Sequence, residues 1–448
     1  MLIVPSNRGI FKMWFPFMMT EKEKKHQAFC KQQFPPLFES WVKSFSDFGF
    51  NGSPAAPDQV NCEVLMPTHV PSAERLIAIG DLHGDFRKAF RAFKLSGLID
   101  DHGRWCGGSS VCVQVGDILD RGDQEIQIFY FLERLQREAE QAGGKLYVLN
   151  GNHETMNVAS NHRYASPGAA QELKQWQQWQ ALGVQLRNRY GGREENGVAD
   201  RSAPSPAAPA TPSSTAGNTA GSLFSSTTHF ERTAAMQPGA YLTRRFMACH
   251  PTVLQVGSSL FVHGGVLPAH VEYGLERINR ETQSWMLRGS AMKSPSFLRG
   301  STAIVWARDF SAEEESHCDC IKLKQVLESI PGAKRMVVGH TIQAKGVNTA
   351  CDGKVVRVDV GLSRGCGDGE PQVLEILGDG GMRRLRERGP SEVLNQPSVS
   401  GGSSKEAAAL GGRGLSGSLG GDQTVWTSSW EALRGRLNQF LGGPSQAA

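Results

Sequence analysis

Five short segments of this 448-residue sequence contain the carboxylate, amide and imidazole side chains that bind metal ions and phosphate. Each segment follows an apolar run, and glycines near these side chains allow the backbone to turn tightly. The segments are Gly80-Asp81-Leu82-His83-Gly84-Asp85, Gly116-Asp117-Ile118-Leu119-Asp120-Arg121-Gly122-Asp123, Asn150-Gly151-Asn152-His153-Glu154, His263-Gly264-Gly265 and Gly339-His340-Thr341. Because ligands of open sheets gather beyond the carboxyl ends of strands, we expect these segments to form one site.

The donor atoms in these segments suit a pair of hard or borderline divalent cations. Asp, His and Asn side chains bind Mn, Fe, Zn or Mg, and no thiolate accompanies them here. Two groups of donors that share one carboxylate predict two metal ions about 3.5–4 Å apart, an arrangement used in phosphoester hydrolysis. Asp117 is the natural shared carboxylate. A bridging water, as hydroxide, would then attack phosphorus in line.

Three neighbouring side chains could complete the chemistry. His153 stands next to Asn152 and is placed to protonate the leaving oxygen, and Asp120 would orient the imidazole and stabilise its charge. Arg121 can grip a phosphate with two parallel hydrogen bonds, which a lysine could not imitate.

Alternating strands and helices are predicted to position these segments. Apolar runs at 75–79, 111–115 and 145–149 read as strands, and amphipathic patterns at 86–98 and 126–140 read as the helices between them, which is a parallel βαβαβ unit. Further strands are predicted at 259–262, 335–338, 355–360 and 372–377, and further helices at 171–190, 273–286 and 320–330.

Composition argues against several classes of partner. The formal net charge of +4 is small for the length and no dense Lys/Arg block lies mid-chain, so we expect no nucleic-acid partner. No run is apolar for long enough to cross a bilayer, so we expect no membrane partner. Nine cysteines do not make a disulfide scaffold, and buried structural thiols are expected, with a redox-sensitive or disulfide-forming pair near Cys318-Asp319-Cys320 as the alternative.

Composition also divides the chain into three parts. Residues 1–70 are predicted to be a partly disordered N-terminal extension, residues 71–380 the catalytic domain, and residues 381–448 a Gly/Ser-rich tail. Inside the domain, residues 195–228 form a predicted low-complexity insertion without structure. An amphipathic pattern at 425–441 predicts a terminal helix, which either packs on its own core or docks a partner. The absence of a clear targeting pattern favours the cytoplasm.

The ordered set of motifs resembles the PPP family of metallophosphatases. Finer features resemble its Shewanella-like protein phosphatase branch: Leu119 where Val is more usual, the segment 272–279, and Arg357-Val358-Asp359-Val360-Gly361. The resemblance covers about residues 75–377 apart from the insertion. It implies an α/β fold of the calcineurin-like metallophosphoesterase type, with two mixed β-sheets sandwiched between helices. It also makes the chloroplast and the mitochondrial intermembrane space alternative locations.

The resemblance implies a role for each site residue. The implied ligands of one metal ion are Asp81, His83 and Asp117, and those of the other are Asp117, Asn152, His263 and His340. His153 and Asp120 would be the acid pair and Arg121 a phosphate clamp. A second phosphate arginine lies between the last two histidines in the family, and Arg308 is the best match. Two divalent ions are implied, with Mn²⁺ expected and Fe or Zn as alternatives.

These patterns predict a metal-dependent protein phosphatase that acts on phosphoserine or phosphothreonine in a phosphoprotein substrate, with phosphotyrosine left open. A phosphodiesterase or dinucleoside polyphosphate hydrolase could use the same site. An inactive phospho-binding scaffold is the alternative from another class. The intact ligand set argues against the scaffold.

Overall fold

The computed structural model describes residues 67–190, 230–288, 293–378 and 380–395. The predicted N-terminal extension up to residue 66, the predicted insertion at 195–228, and the tail from residue 396 with its predicted terminal helix lie outside the described residues. None of the helices in the described ranges has the length and apolar character needed to span a membrane.

Short strands alternate with helices along the chain. In chain order the strands are β1 (His69–Val70), β2 (Arg75–Ile79), β3 (Val111–Gln114), β4 (Lys145–Val148), β5 (Val253–Val256), β6 (Ser259–Val262), β7 (Arg335–Val338), β8 (Asn348–Ala350), β9 (Val355–Arg357), β10 (Gln372–Leu377), β11 (Met382–Arg386) and β12 (Glu392–Asn395). The helices are α1 (Phe86–Leu95), α2 (Glu125–Gln141), α3 (Asn152–Val158), α4 (Pro167–Tyr190), α5 (Tyr241–Arg245), α6 (Pro268–Tyr273), α7 (Leu275–Leu287) and α8 (Cys320–Ser329). Residues 230–236 are also helical.

The strands form two mixed six-stranded sheets. The first has the order β12-β11-β10-β2-β3-β4, and its β2, β3 and β4 run parallel as the βαβαβ pattern predicted. The second has the order β1-β5-β6-β7-β9-β8, with β6, β7 and β9 parallel. The site segments follow the carboxyl ends of β2, β3, β4, β6 and β7, so they meet along one edge of both sheets.

The core has an apolar layer between the sheets and another beneath the helices. Leu76 and Ala78 of β2 belong to a buried cluster that also contains Val337 of the other sheet. The alternate residue Ile77 belongs to a second cluster with helix side chains such as Phe129. A strand buried on both faces is hydrophobic at every position, which explains why these strands were visible as continuous apolar runs.

The structure corrects the predicted boundary at residue 380. The strands β11 and β12 continue the first sheet beyond it, and β1, in the predicted extension, pairs with β5. β11 is rich in arginine, and Arg383 pairs with the buried Glu375 of the neighbouring strand. A charged strand of this kind has no apolar run by which to recognise it.

Two smaller predictions also change. The predicted helix over 273–286 is interrupted at Gly274, whose φ of 99° separates α6 from α7. Cys320 and Cys351 are not structural thiols: they form a disulfide that joins the start of α8 to the turn after β8.

Asp85 caps α1 by accepting a hydrogen bond from the Lys88 amide at 3.1 Å.

Candidate metal centre and active site

Two groups of buried donor atoms meet at the shared edge of the sheets, and Asp117 belongs to both. The ligand atoms of His83, Asp117 and His153 lie within 4.8 Å of one another, as do those of Asp117, His263 and His340. Asn152 joins the second group through its Oδ1, which lies 2.8 Å from His263 Nε2. The tertiary structure therefore brings together side chains that follow five different strands.

Asp81 lies beside the first group. Its Oδ2 is 4.0 Å from His83 Nε2, and its carboxylate accepts the backbone N–H of His340 at 3.2 Å. Burial, and then the charge of Asp359, raise the pKa of Asp81 well above its ordinary value. Burial likewise raises the pKa of Asp359 to about 6. Two adjacent buried carboxyls repel each other when both are ionised. A bound cation would offset this repulsion.

Unusual backbone geometry positions the donors. Asp117, His83 and His340 have φ values of 55°, 40° and 66°, a left-handed conformation that costs a non-glycine residue about 1–3 kcal/mol. The loop that carries Asp117 is held by the buried Glu154 carboxylate, which accepts four backbone N–H groups, those of Asp117, Ile118, Leu119 and Gly151, at 2.7–3.1 Å. A Cβ at Gly151 would lie 2.1 Å from Asp117 Oδ1, so only glycine fits there.

Hydrogen bonds to the backbone orient two of the imidazoles. His83 Nδ1 lies 2.9 Å from the carbonyl oxygen of Leu119, and His263 Nδ1 lies 3.0 Å from that of Val115. An Nδ1–H that donates to a carbonyl leaves Nε2 as the free ligand atom, which is the usual second shell of a metal-binding histidine. Both Nε2 atoms face Asp117, at 3.6 Å and 3.2 Å from its Oδ2.

The donor set fits divalent cations. His340 Nε2 is buried, and the described residues offer it no hydrogen-bond partner. Burial lowers the pKa of His340 to about 2 and that of His83 to about 4, so both rings are in the neutral form that binds metals. Burial opposes a charge on His263, but Asp117 and Asp81 raise its pKa to about 10, which shows that this position favours a positive charge.

The two residues of the predicted acid pair are in contact. His153 Nδ1 lies 2.6 Å from Asp120 Oδ2, and its Nε2 lies 3.8 Å from Asp117 Oδ2. Burial opposes a charge on the imidazole, but the attraction of Asp117 and the hydrogen bond to Asp120 outweigh it and raise the pKa of His153. The pair can therefore hold a proton beside Asp117, the carboxylate that both donor groups share.

The two predicted phosphate arginines, Arg121 and Arg308, are exposed at the rim of the site. Arg121 stacks over the ring of Tyr164 at 5.3 Å, and its amide donates to the Tyr164 carbonyl at 2.9 Å. Arg308 is close enough for its charge to contribute, after burial and His263, to the lowered pKa of His340.

Sequence reasoning missed several buried residues that support the site. Arg232 contacts Asp120, Asn157 holds both Asp120 and the backbone of His153, and Asp359 lies beside Asp81. Glu154 and Asp359 lie inside the sequence motifs, but their types and spacing alone indicated no role for them. Arg232 and Asn157 carry no local signal, since a lone arginine or asparagine on a helix is usually a surface residue.

Comparison with known proteins agrees with this geometry. A family model of the calcineurin-like phosphoesterase matches residues 74–206, the part of the chain that carries the first three site segments. Shewanella-like protein phosphatase 2 of Arabidopsis thaliana is 43% identical over 356 residues, which cover 79% of this chain and 88% of the relative. Shewanella-like protein phosphatase 1 of Plasmodium berghei is 24% identical over 306 residues, 66% of this chain and 69% of the relative.

Solved structures share the fold. The cold-active protein tyrosine phosphatase of a psychrophilic Shewanella species superposes with a TM-score of 0.52 at 20% identity, covering 75% of this chain and 84% of its own. This identity supports the fold alone.

The fold and the site define a calcineurin-like metallophosphoesterase, a class of hydrolase that uses divalent metal ions. Within that class, the chain belongs to the Shewanella-like protein phosphatase family. The predicted fold and the predicted family are thus confirmed, and the enzyme is a phosphatase.

Proposed function

We propose that this phosphatase removes phosphate from phosphoserine and phosphothreonine residues of proteins, with two divalent metal ions in the donor groups. The observation that carries the proposal is the His153–Asp120 pair, 2.6 Å apart and directly beside Asp117. A proton donor next to two clusters of metal-type ligands suits the release of an alkoxide leaving group, which needs a proton.

The proposed ligands divide between two ions as the family resemblance implied. They are Asp81, His83 and Asp117 for one ion, and Asp117, Asn152, His263 and His340 for the other. When bound, the ions would polarise the phosphoester and lower the pKa of water at the site, and Mn²⁺ is the proposed metal with Fe or Zn as alternatives.

The chain's own side chains orient the ester and move the proton. Arg121 and Arg308 would bind the phosphate oxygens by charge-assisted hydrogen bonds from the rim. His153 would give its Nε2 proton to the leaving oxygen, while Asp120 keeps the other ring nitrogen protonated and fixes the ring plane.

Phosphotyrosine is a second candidate substrate. The partly exposed ring of Tyr164 lies 5.1 Å from the His153 ring, where an aromatic leaving group could pack against it. The solved Shewanella relative is described as a protein tyrosine phosphatase.

The test is metal-titrated hydrolysis of p-nitrophenyl phosphate, its bis-ester, and matched phosphoserine, phosphothreonine and phosphotyrosine peptides. We expect Mn²⁺-stimulated turnover of the monoesters, with His153→Asn lowering turnover of the phosphoserine and phosphothreonine peptides about 10²–10⁴-fold and that of p-nitrophenyl phosphate much less. The exposed His317, replaced in the same way, serves as the control. Preference for the bis-ester would favour a phosphodiesterase, and inactivity with every metal would favour a binding scaffold.

Other predictions from the sequence stay predictions. They concern the absence of nucleic-acid and membrane partners, docking through the tail, and the cytoplasmic location with its plastid and mitochondrial alternatives.

A further inference from the structure

A buried arginine links the acid pair to the body of the protein. Arg232 is only 3% exposed, and its guanidinium donates to two carboxylates and one amide oxygen. The distances are 2.6 Å and 2.9 Å to Glu125, 3.1 Å to Asp120 Oδ1, and 2.7 Å to Asn157 Oδ1. A planar guanidinium can satisfy three acceptors in fixed directions, whereas an ammonium acts as a point charge.

The two acceptors outside the acid pair, Glu125 and Asn157, also form hydrogen bonds to the pair. Glu125 Oε1 accepts the backbone N–H of Asp120 at 2.5 Å. Asn157 Nδ2 donates to Asp120 Oδ2 at 3.0 Å and to the carbonyl oxygen of His153 at 2.9 Å. The two carboxylate oxygens of Asp120 therefore have different partners. Oδ1 accepts a hydrogen bond from Arg232, and Oδ2 faces the imidazole of His153.

We infer that Arg232 is a positioning residue for proton donation to the leaving group: it sets the orientation of the Asp120 carboxylate, and through it that of His153. This inference rests on the proposed function. Arg232 acts through Asp120 and does not itself contact the ester.

A purely structural role predicts a different result from a positioning role. Loss of folding stability lowers turnover of every substrate by the same factor. Loss of proton donation lowers turnover most for esters whose leaving group is a strong base, because such a group cannot depart without a proton. The ratio of kcat/KM for p-nitrophenyl phosphate to that for phenyl phosphate separates the two.

Arg232→Lys is the first variant, because it keeps the positive charge and removes the planar guanidinium that donates in several fixed directions. We expect the ratio to rise at least about tenfold, through a selective loss on phenyl phosphate. Arg245→Lys is the matched control. Arg245 is also buried and forms a bidentate ion pair, but its partner is Glu133. Its Nε and Nη2 each lie 3.0 Å from one oxygen of the Glu133 carboxylate. It should leave the ratio within about twofold of wild type.

A double variant guards against failure to fold. Arg232→Met alone would bury two carboxylates without their counter-charge, so Arg232→Met is combined with Glu125→Gln, which removes one of those charges and keeps an acceptor for the Asp120 amide. This variant should also show the raised ratio, with bound metal equal to that of wild type.

The outcomes separate the inference from the function on which it rests. Wild-type hydrolysis of both esters with a raised ratio in the Arg232 variants supports the positioning role. Wild-type hydrolysis with an unchanged ratio in both Arg232 variants overturns it and leaves the phosphatase proposal intact. Absence of wild-type hydrolysis overturns both.

Discussion

Two adjoining groups of buried polar residues share the border between Asp117 and His153, and they differ in how their polar atoms are satisfied. We call the first the metal-side cluster; its members are Asp81, His83, Asp117, Asn152, His263 and His340. We call the second the acid-side network; its members are His153, Asp120, Asn157, Arg232 and Glu125. The metal-side cluster directs ring nitrogens and carboxylates toward one another and leaves His340 Nε2 without a partner among the described residues. The acid-side network pairs its carboxylates with an arginine, an amide and an imidazole.

This difference indicates that the metal-side cluster is suited to bind a ligand, whereas the acid-side network holds the side chains of the acid pair in place. Buried polar groups are stable when they are paired, so the acid-side network needs nothing from outside the chain. The metal-side cluster brings the carboxyls of Asp81 and Asp117 close together, and such groups are stabilised when a ligand of opposite charge is present. The two groups should therefore respond differently to mutation, to chelation and to pH.

Removing the shared carboxylate should have the largest effect. Asp117→Asn keeps the shape of the side chain but removes the charge that both donor groups share. We expect kcat/KM on p-nitrophenyl phosphate to fall about 10³–10⁴-fold, with less bound metal by elemental analysis. Full activity with full metal content would contradict the assignment of Asp117. His153→Asn is the paired control, since it should keep its metal and lose activity mainly on phosphoserine and phosphothreonine peptides, whose leaving groups need a proton.

Chelation should destabilise the metal-side cluster. A ligand present at 100 times its dissociation constant stabilises the folded state by about 2.7 kcal/mol, so EDTA should lower the Tm by about 5–10 °C. Differential scanning calorimetry with Mn²⁺ and with EDTA measures this shift. The shift should be much smaller in Asp117→Asn and unchanged in Arg245→Lys. Identical Tm values with and without chelator in the wild type would count against a bound metal.

A change of pH should act on the helix packing next to the acid-side network. Glu172 accepts the amides of Ile126 and Gln127 at the start of α2, and burial raises its pKa to about 8. A carboxyl whose pKa is raised on folding contributes stability below its unfolded value, and that contribution is lost as pH rises through 8. Because the residue is only partly buried by surface area, we expect a loss of about 2 kcal/mol between pH 5 and 9.

Urea unfolding at the two pH values measures this loss. The variant Glu172→Gln should show a loss smaller by about 2 kcal/mol. Glu140→Gln, at an exposed position on α2, is the control and should behave as wild type. Equal pH dependence in all three proteins would show that Glu172 does not keep its proton on folding.

The smallest effect should come from the rim. Tyr164→Ala removes the ring over which Arg121 stacks at 5.3 Å. Such contacts contribute about 0.5–1 kcal/mol at exposed sites, so KM for a phosphopeptide should rise about two- to fivefold with little change in kcat. Tyr164→Phe keeps the ring and should keep the KM. A large fall in kcat would instead place Tyr164 with the acid pair.

Local patterns were sufficient for the metal-side cluster and for the strands that carry it. The strands β2, β6 and β7 lie where their apolar runs predicted, because a strand buried on both faces is mostly hydrophobic. The proposed ligands follow β2, β3, β4, β6 and β7 within a few residues, so residue type and spacing were enough to select them. The charged strand β11 and the short strand β1 carry no such signal.

The supporting residues of the acid-side network, Arg232 and Asn157, were identified only from their contacts in the tertiary structure. Arg232 reaches Asp120 across 112 positions of sequence and Glu125 across 107, and a motif cannot encode a contact of that range. The sequence by itself determined the class of chemistry, since ligand types and turn glycines are local requirements of the strand ends. Only the tertiary structure decided which buried charges neutralise one another, because that depends on how distant segments pack around the same carboxylate.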